Sequence, residues 1–276
     1  MKKRWVPGEL VLHQGMRIKP IFLAGIALFL LVVACATIHE TGEKRFFLTS
    51  PQLEKQMGLT AFQDIKTSQK VSTNTAAIAQ VNRVAQRIIP VVNVPGAEWE
   101  VVVFEDSAPN AFALPGGKIG IHTGLLPITQ SDAGLAAVMG HEIAHVSLRH
   151  GGQRVSRQLA ISGGMQLLDA GLALNSENYP RYRTQIMTGL GIGTQIGMIL
   201  PFSRDNEYEA DRIGMKYMAQ AGYDPAEAVE VWKRMKALSD RSGGKPPEWL
   251  STHPADASRI QALADYLPTA RQFMRN

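Results

Sequence analysis

Two histidines and a glutamate at residues 141–145 have the spacing of a metal-dependent hydrolase. The segment is His141-Glu142-Ile143-Ala144-His145, and its apolar neighbours recur at helical spacing after Ser131, a good helix N-cap. Residues four apart share a helix face, so both imidazoles can bind one Zn²⁺. Glu142 lies beside that face, where its carboxylate can take a proton from water on the metal and pass it to a leaving amine. The pattern predicts one zinc ion per chain, with Glu142 as general base.

The next histidine along the chain is a weaker candidate ligand. His150 follows His145 by five residues and precedes Gly151-Gly152, where we expect the helix to break. This position favours a surface or capping residue over a metal ligand.

A third ligand is predicted in the segment Ser203-Arg204-Asp205-Asn206-Glu207-Tyr208-Glu209-Ala210-Asp211. Glu207 and Asp211 are spaced i, i+4 near the start of a predicted helix and therefore share a face, whereas Glu209 is expected to point elsewhere. One carboxylate can bind zinc while the other orients a ligand histidine through its free ring nitrogen. Two histidines and one carboxylate leave a position for water, which is typical of a catalytic rather than a structural zinc site.

The sequence pattern around these residues predicts the elements that position them, and together these elements form an α+β fold that is mainly α, with a small β-sheet. A strand is expected near residues 99–103, and residues 111–122 (AFALPGGKIGIH) are typical of a hairpin that turns at Pro115-Gly116-Gly117. The apolar, Gly-rich segment 187–200 predicts either a closely packed core helix or a mobile cover over a cleft. Helices are predicted at about 51–70, 75–89, from 131, 206–221, 225–238 and 254–266.

The N-terminal segment is typical of an export signal. Arg17 and Lys19 precede an apolar run over residues 21–34, which is short for a bilayer of about 30 Å. Cys35 follows at once, and this arrangement is similar to the processing box of bacterial lipoproteins, in which the cysteine is acylated and becomes the mature N-terminus. The alternative is a lone buried cysteine after an ordinary signal or a short anchor helix.

The domain organisation follows from this interpretation. We expect a signal peptide with a lipidation site over residues 1–35, a tether over 36–50 and a zinc metallopeptidase domain over 51–276. Translation from Met16 would give a more compact signal. The residue after the cysteine is Ala36, and such a residue at this position is similar to the pattern in Gram-negative lipoproteins of the outer membrane. The expected location is therefore the cell envelope, on an outer membrane and facing the periplasm.

Composition excludes some classes of function. The net charge is +5, but residues 1–35 contain five basic residues and only one acidic residue, Glu9. The rest of the chain therefore has 24 basic and 23 acidic residues. A basic footprint for nucleic acid is therefore not expected. A single cysteine excludes intramolecular disulfides, and the oligomeric state is left open.

Four segments together resemble a family of zinc endopeptidases that includes the bacterial heat-shock protease HtpX, the eukaryotic CaaX prenyl endopeptidase and the mitochondrial protease Oma. They are NAFALPGG (110–117), GHEIAHVSLRHG (140–151), SRDNEYEAD (203–211) and THPADASRI (252–260), and the resemblance runs over roughly residues 75–265. It implies a zincin-like metallopeptidase domain with Glu207 as third zinc ligand and Asp211 behind the ligands. It also implies that His253 contacts the zinc site or the developing oxyanion, although a histidine before proline in a loop is more often merely exposed.

The resemblance gives the hairpin a role as well. Peptidases of this group bind an extended peptide against an edge strand, and the stretch from Asn110 through Ala111 and Phe112 to Leu114 occupies that place in the chain. The alternative is an ordinary edge strand that ends at Pro115.

The expected function is hydrolysis of internal peptide bonds in misfolded or misassembled cell-envelope proteins. The expected partners are polypeptide substrates and, through lipidated Cys35, a membrane. The alternative function is a latent or non-proteolytic chaperone or assembly factor for outer-membrane proteins, in which His253 or residues 187–200 fill the open metal position. A zinc hydrolase of a non-peptide bond is favoured less, because the resemblance extends to all four segments.

Overall fold

The computed structural model describes residues 35–161, 202–241 and 248–274, so residues 1–34 of the predicted signal segment and the Gly-rich segment 187–200 lie outside it. The described residues are mainly helical with two small sheets, which confirms the predicted fold class. Among these helices, none is both long and apolar enough to span a bilayer. The strands are β1 (Cys35–Thr37), β2 (Lys44–Phe46), β3 (Glu100–Phe104), β4 (Ala111–Leu114) and β5 (Lys118–His122). The helices are α1 (Pro51–Ser68), α2 (Thr75–Ile88), α3 (Leu126–Thr129), α4 (Asp132–Ser147), α5 (His150–Ile161), α6 (Arg204–Gln220), α7 (Ala226–Arg241), α8 (Glu248–Thr252) and α9 (Ala257–Arg271).

Helix α4 forms the centre of the molecule. Its side chains are buried from Gly134 to Ser147, and its N-cap is Ser131, whose hydroxyl accepts from Gly134 N at 3.0 Å, as predicted. Helix α6 approaches α4 closely where Gly140 faces Gly214, and a Cβ on Gly214 would lie 2.8 Å from the backbone nitrogen of His141. These two glycines therefore let the helix that carries Glu207 lie directly against the helix that carries His141.

The larger sheet has the order β3-β5-β4, with β3 parallel and β4 antiparallel to β5. The predicted hairpin is confirmed, and its turn has left-handed φ angles of 89° at Gly116 and 86° at Gly117. Both positions therefore favour glycine. The ring of Phe112 lies across Gly120 on the neighbouring strand, so a side chain at residue 120 would displace it.

Residues 36–50 are folded onto the domain, which differs from the expected tether. Strands β1 and β2 pair antiparallel, and the side chains of Ile38 and Phe47 are buried. Ile38 and Phe47 join the same core cluster as α4. These two apolar side chains anchor the segment to the domain, whereas Phe46 and Leu48 remain exposed.

A sharp turn separates α4 from α5. Arg149 adopts a left-handed φ of 55°, which is uncommon for a residue with a side chain. Its guanidinium pairs with Glu54 at 2.7 Å and lies 3.8 Å from the ring centroid of Phe47, and these contacts hold the turn. The predicted break at Gly151-Gly152 is wrong, because α5 includes both glycines. Gly152 instead allows the close approach of the Glu54 carboxylate.

Buried His122 makes the stability of the fold depend on pH. It is 2% exposed, neither ring nitrogen has a hydrogen-bond partner, and burial lowers its pKa below the ordinary 6.5. The unfolded chain therefore binds the proton first, so this stabilising contribution is present above pH 6.5 and is lost as the pH falls. We expect the metal-loaded protein to lose more free energy of unfolding between pH 7.5 and 5 than a His122→Phe variant, measured by urea unfolding. Equal losses in the two proteins would contradict this assignment.

Candidate metal centre

Four buried side chains converge beside α4. His141, His145, Glu207 and His253 each offer one donor atom, and these atoms lie within 4.8 Å of one another. The Nε2 atoms of His141 and His145 are 3.1 Å apart, and His253 Nδ1 lies 3.0 Å from Glu207 Oε1. Imidazole nitrogens with one carboxylate form a donor set that suits zinc and similar divalent metals, so these residues fit a metal ion.

The elements place these donors as the sequence pattern requires. His141 and His145 project from one face of α4, and Glu207 comes from the first turn of α6. His253 directly follows the short helix α8, which the sequence did not predict, and its backbone nitrogen donates to Trp249 O at 2.9 Å. His253 is 4% exposed, so the reading of this histidine as a merely exposed loop residue is wrong.

Asp211 lies behind the donors rather than among them. Its Oδ1 is 2.9 Å from His141 Nδ1, the ring nitrogen that faces away from the cluster. A carboxylate on that nitrogen fixes the ring so that Nε2 points at the metal position.

Arg259 holds both carboxylates of α6 and was not singled out in the sequence. It is 2% exposed, with Nη1 2.5 Å from Glu207 Oε2 and Nε donating to Asp211 Oδ2 at 2.6 Å. It lies in the first turn of α9, where Asp256 caps the helix. The only sequence signal was its place in THPADASRI, because helical periodicity does not predict contacts between residues about 50 positions apart.

The charges in the cluster shift its acid–base properties. Burial lowers the pKa of His141, but hydrogen bonds with Asp211 and Glu207 outweigh it and raise that pKa to about 9. Burial opposes ionisation of Glu207, yet Arg259 and His253 hold the pKa of its carboxyl well below the ordinary range. Glu207 is therefore ionised and available as a ligand at neutral pH.

Glu142 has a partner that the sequence did not indicate. The indole nitrogen of Trp249 donates to Glu142 Oε1 at 2.7 Å, and His253 Nε2 lies 3.7 Å from the same oxygen. The ring of Trp249 also stacks on His253, with centroids 5.1 Å apart. Trp249 therefore fixes the Glu142 carboxylate and the His253 ring together. Helix α8, which carries Trp249, lies between the predicted helices at 225–238 and 254–266, where no element was predicted.

One further expectation for this region is wrong. His150 is fully buried rather than on the surface, and its Nδ1 lies 2.9 Å from His145 Nδ1. Glu209 lies outside the four-donor cluster, as expected, and its Oε2 lies 3.0 Å from His150 Nε2. The turn at Arg149, which sequence periodicity could not show, brings His150 back against α4.

The proposed peptide-binding strand lies at the edge of the larger sheet within the described residues. Asn110 O accepts from His122 N at 2.9 Å, and Ala111 is buried. Phe112 packs inward between Phe62 and Phe104, so its side chain does not face the metal cluster. Ala113 instead lines a cavity of about 30 Å³ together with His145.

That small cavity adjoins a larger one of about 480 Å³, with which it shares Glu54, Pro115, Val146 and Arg149. Phe202, which also lines the small cavity, stacks on His145 with ring centroids 4.1 Å apart. The guanidinium of Arg154 lies 3.4 Å from the Phe202 ring centroid, and burial lowers its pKa to about 10. The ring of Phe202, with the guanidinium of Arg154 on it, therefore covers one face of the His145 imidazole.

A helix with paired histidines, a carboxylate from a second helix and a buried glutamate beside them define the class of metal-dependent peptidase-like sites. The model of peptidase family M48 matches residues 76–267, and the chain belongs to this family. This finding confirms the resemblance seen in the four segments.

Two relatives illustrate the range of the family. The chain is 35% identical over 234 residues to the mitochondrial metalloendopeptidase OMA1 of Schizosaccharomyces pombe, a match that covers 84% of this chain and 66% of the relative. It is 30% identical over 237 residues to the beta-barrel assembly-enhancing protease of Escherichia coli, covering 86% of this chain and 48% of that protein. The matches therefore span about half to two thirds of these relatives.

Proposed function

We propose that this protein is a zinc-dependent endopeptidase that hydrolyses internal peptide bonds. The observation that carries the proposal is the convergence of His141, His145 and Glu207 in one cluster, with Glu142 beside His253 and all of them buried. The names of the two relatives, a metalloendopeptidase and a protease, support the same reaction.

The residues of the chain have distinct tasks in this reaction. A zinc ion in the site would acidify a water molecule and polarise the scissile carbonyl. Glu142 accepts the proton from the water and delivers it to the leaving amine, while Trp249 keeps its carboxylate in place. His253, which is held against Trp249, is positioned to donate a hydrogen bond to the developing oxyanion. Asn110 and the edge strand β4, which begins with Ala111 and Phe112, offer backbone groups to an extended substrate.

We place the enzyme in the cell envelope and assign it misfolded or misassembled envelope proteins as substrates. The printed name of the Escherichia coli relative, which refers to beta-barrel assembly, supports this substrate class. The apolar run before Cys35 supports membrane attachment through a lipid on that cysteine, on an outer membrane and facing the periplasm. The signal peptide with its lipidation site would then comprise residues 1–35, with cleavage directly before Cys35.

The test is cleavage of unfolded casein by the zinc-loaded full chain. We expect internal cleavage that stops when a chelator removes the metal and returns when zinc is added back. Cleavage that continues in the metal-free protein would contradict the proposal.

A second candidate is a latent enzyme or a non-proteolytic chaperone for outer-membrane proteins. The observation in its favour is that His253 belongs to the donor cluster, since four protein ligands are typical of closed zinc sites. Casein cleavage by His253→Ala but not by the parent would establish latency. If neither protein cleaves casein and both keep an unfolded outer-membrane protein soluble, the chaperone function is supported.

A further inference from the structure

A series of polar contacts, buried at His145 and His150 and partly buried at Glu209 and Arg45, runs from the metal ligand His145 to the N-terminal hairpin. Nε2 of His145 faces the other donors, 3.5 Å from Glu207 Oε1, whereas Nδ1 lies 2.9 Å from His150 Nδ1. On the other side of the His150 ring, Nε2 is 3.0 Å from Glu209 Oε2. Glu209 Oε1 then accepts from Arg45 Nη2 at 2.6 Å.

The donor and acceptor capacity of each group fixes the direction in which these hydrogen bonds run. An ionised carboxylate only accepts, so Nε2 of His150 carries the proton that is donated to Glu209. Nδ1 of a neutral His150 is then an acceptor, and His145 Nδ1 must be its donor. This leaves the lone pair of His145 Nε2 free to bind a metal.

We propose that His150 and Glu209 are positioning residues for the metal ligand His145, and that Arg45 of the hairpin completes the set. His141 has its own carboxylate, Asp211, whereas His145 reaches its carboxylate through a second histidine. The proposal rests on the metal site of the proposed function, but it concerns how that site is held.

The surrounding structure holds the His150 ring and Arg45 in place. His150 is fully buried, and the left-handed turn at Arg149 aims its ring at α4. The segment that supplies Arg45 also supplies Phe47, whose ring lies under the Arg149 guanidinium. Residues 44–47 therefore contact both the turn at Arg149 and the carboxylate of Glu209. These contacts link the N-terminal hairpin to the metal centre.

The first test is the zinc affinity of the full chain, measured by competition with a chelating dye. We expect His150→Leu to weaken zinc binding by about 10- to 100-fold, because the acceptor for His145 Nδ1 is lost. In His150→Asn, the amide oxygen can take the place of Nδ1, so binding should recover most of the loss. Parent-like affinity in His150→Leu, or equal losses in both variants, would overturn the proposal in favour of a packing role.

A matched pair of milder variants keeps the test decisive if residue 150 does not tolerate substitution. Arg45 Nη2 contacts two carboxylates, Glu209 at 2.6 Å and the exposed Glu43 at 2.7 Å. We expect Glu209→Gln to weaken zinc binding several-fold and Glu43→Gln to leave it unchanged. Equal zinc affinities in this pair would overturn the proposal.

These results are distinguishable from a failure of the proposed function. If the parent protein binds zinc tightly but does not cleave casein, the proposed peptidase function is contradicted. The positioning role of His150 and Glu209 can then still be tested by the same affinity measurements. The Co²⁺-substituted protein provides a second readout, because its visible absorption reports ligand geometry independently of activity. We expect that spectrum to change in His150→Leu and to remain parent-like in Glu43→Gln.

Discussion

Replacing Glu142 by glutamine is expected to reduce casein cleavage by about 10²- to 10⁴-fold, the usual contribution of a general acid–base group. Glutamine has nearly the same shape, and its amide oxygen can still accept from Trp249 Nε1. It cannot take a proton from water at neutral pH. The side chain is 3% exposed and lies outside the four-donor cluster, so zinc content and fold should be retained.

The control for this variant is Glu230→Gln. Glu230 lies on α7 and pairs with Lys233 at the surface, with a side chain that is 51% exposed. We expect this variant to cleave casein like the parent. Cleavage by Glu142→Gln within ten-fold of the parent, at equal zinc content, would remove Glu142 from the mechanism.

Replacing Arg259 by methionine is expected to lower the free energy of unfolding of the metal-free protein by about 3–5 kcal/mol, the usual cost of removing one partner of a buried ion pair. The variant leaves the carboxylates of Glu207 and Asp211 buried without their cation. Urea unfolding at pH 7 measures the change. Zinc should restore part of the stability, because a bound metal supplies positive charge to Glu207.

The matched control is Arg83→Met, which removes an arginine from an ion pair at the surface. Arg83 donates to Asp132 through Nη2 at 2.8 Å, and its side chain is 56% exposed. Exposed pairs contribute about 0–1 kcal/mol, so this variant should remain close to the parent. Equal stabilities of the two variants would mean that Arg259 does not hold the carboxylates of α6.

Features that depend on nearby residues could be predicted from the sequence. The i, i+4 spacing placed His141 and His145 on one face, and the same spacing placed Glu207 and Asp211 together on α6. The alternation and turn residues of the hairpin gave β4 and β5. These relations span a few residues, so helix and strand geometry decide them.

Contacts between distant segments could not be predicted in this way. Arg259 contacts Asp211, which lies more than 40 positions away in the sequence. Trp249 contacts Glu142, which lies more than 100 positions away. His150 was misplaced because the break in the helix occurs at Arg149, whose unusual φ is stabilised by Glu54 and Phe47 from the N-terminal part of the chain. Tertiary packing here overrides a local signal from Gly151-Gly152.

The most direct measurement of the central claim is the mass of the casein fragments produced by the zinc-loaded protein in H₂¹⁸O, beside Glu142→Gln with the same zinc content. Hydrolysis by water predicts fragments with new termini inside the casein chain, each new carboxyl terminus carrying one ¹⁸O atom, from the parent protein only. No internal fragments from either the parent or the His253→Ala variant, or the same fragments at the same rate from Glu142→Gln, would contradict a metallopeptidase that works through Glu142.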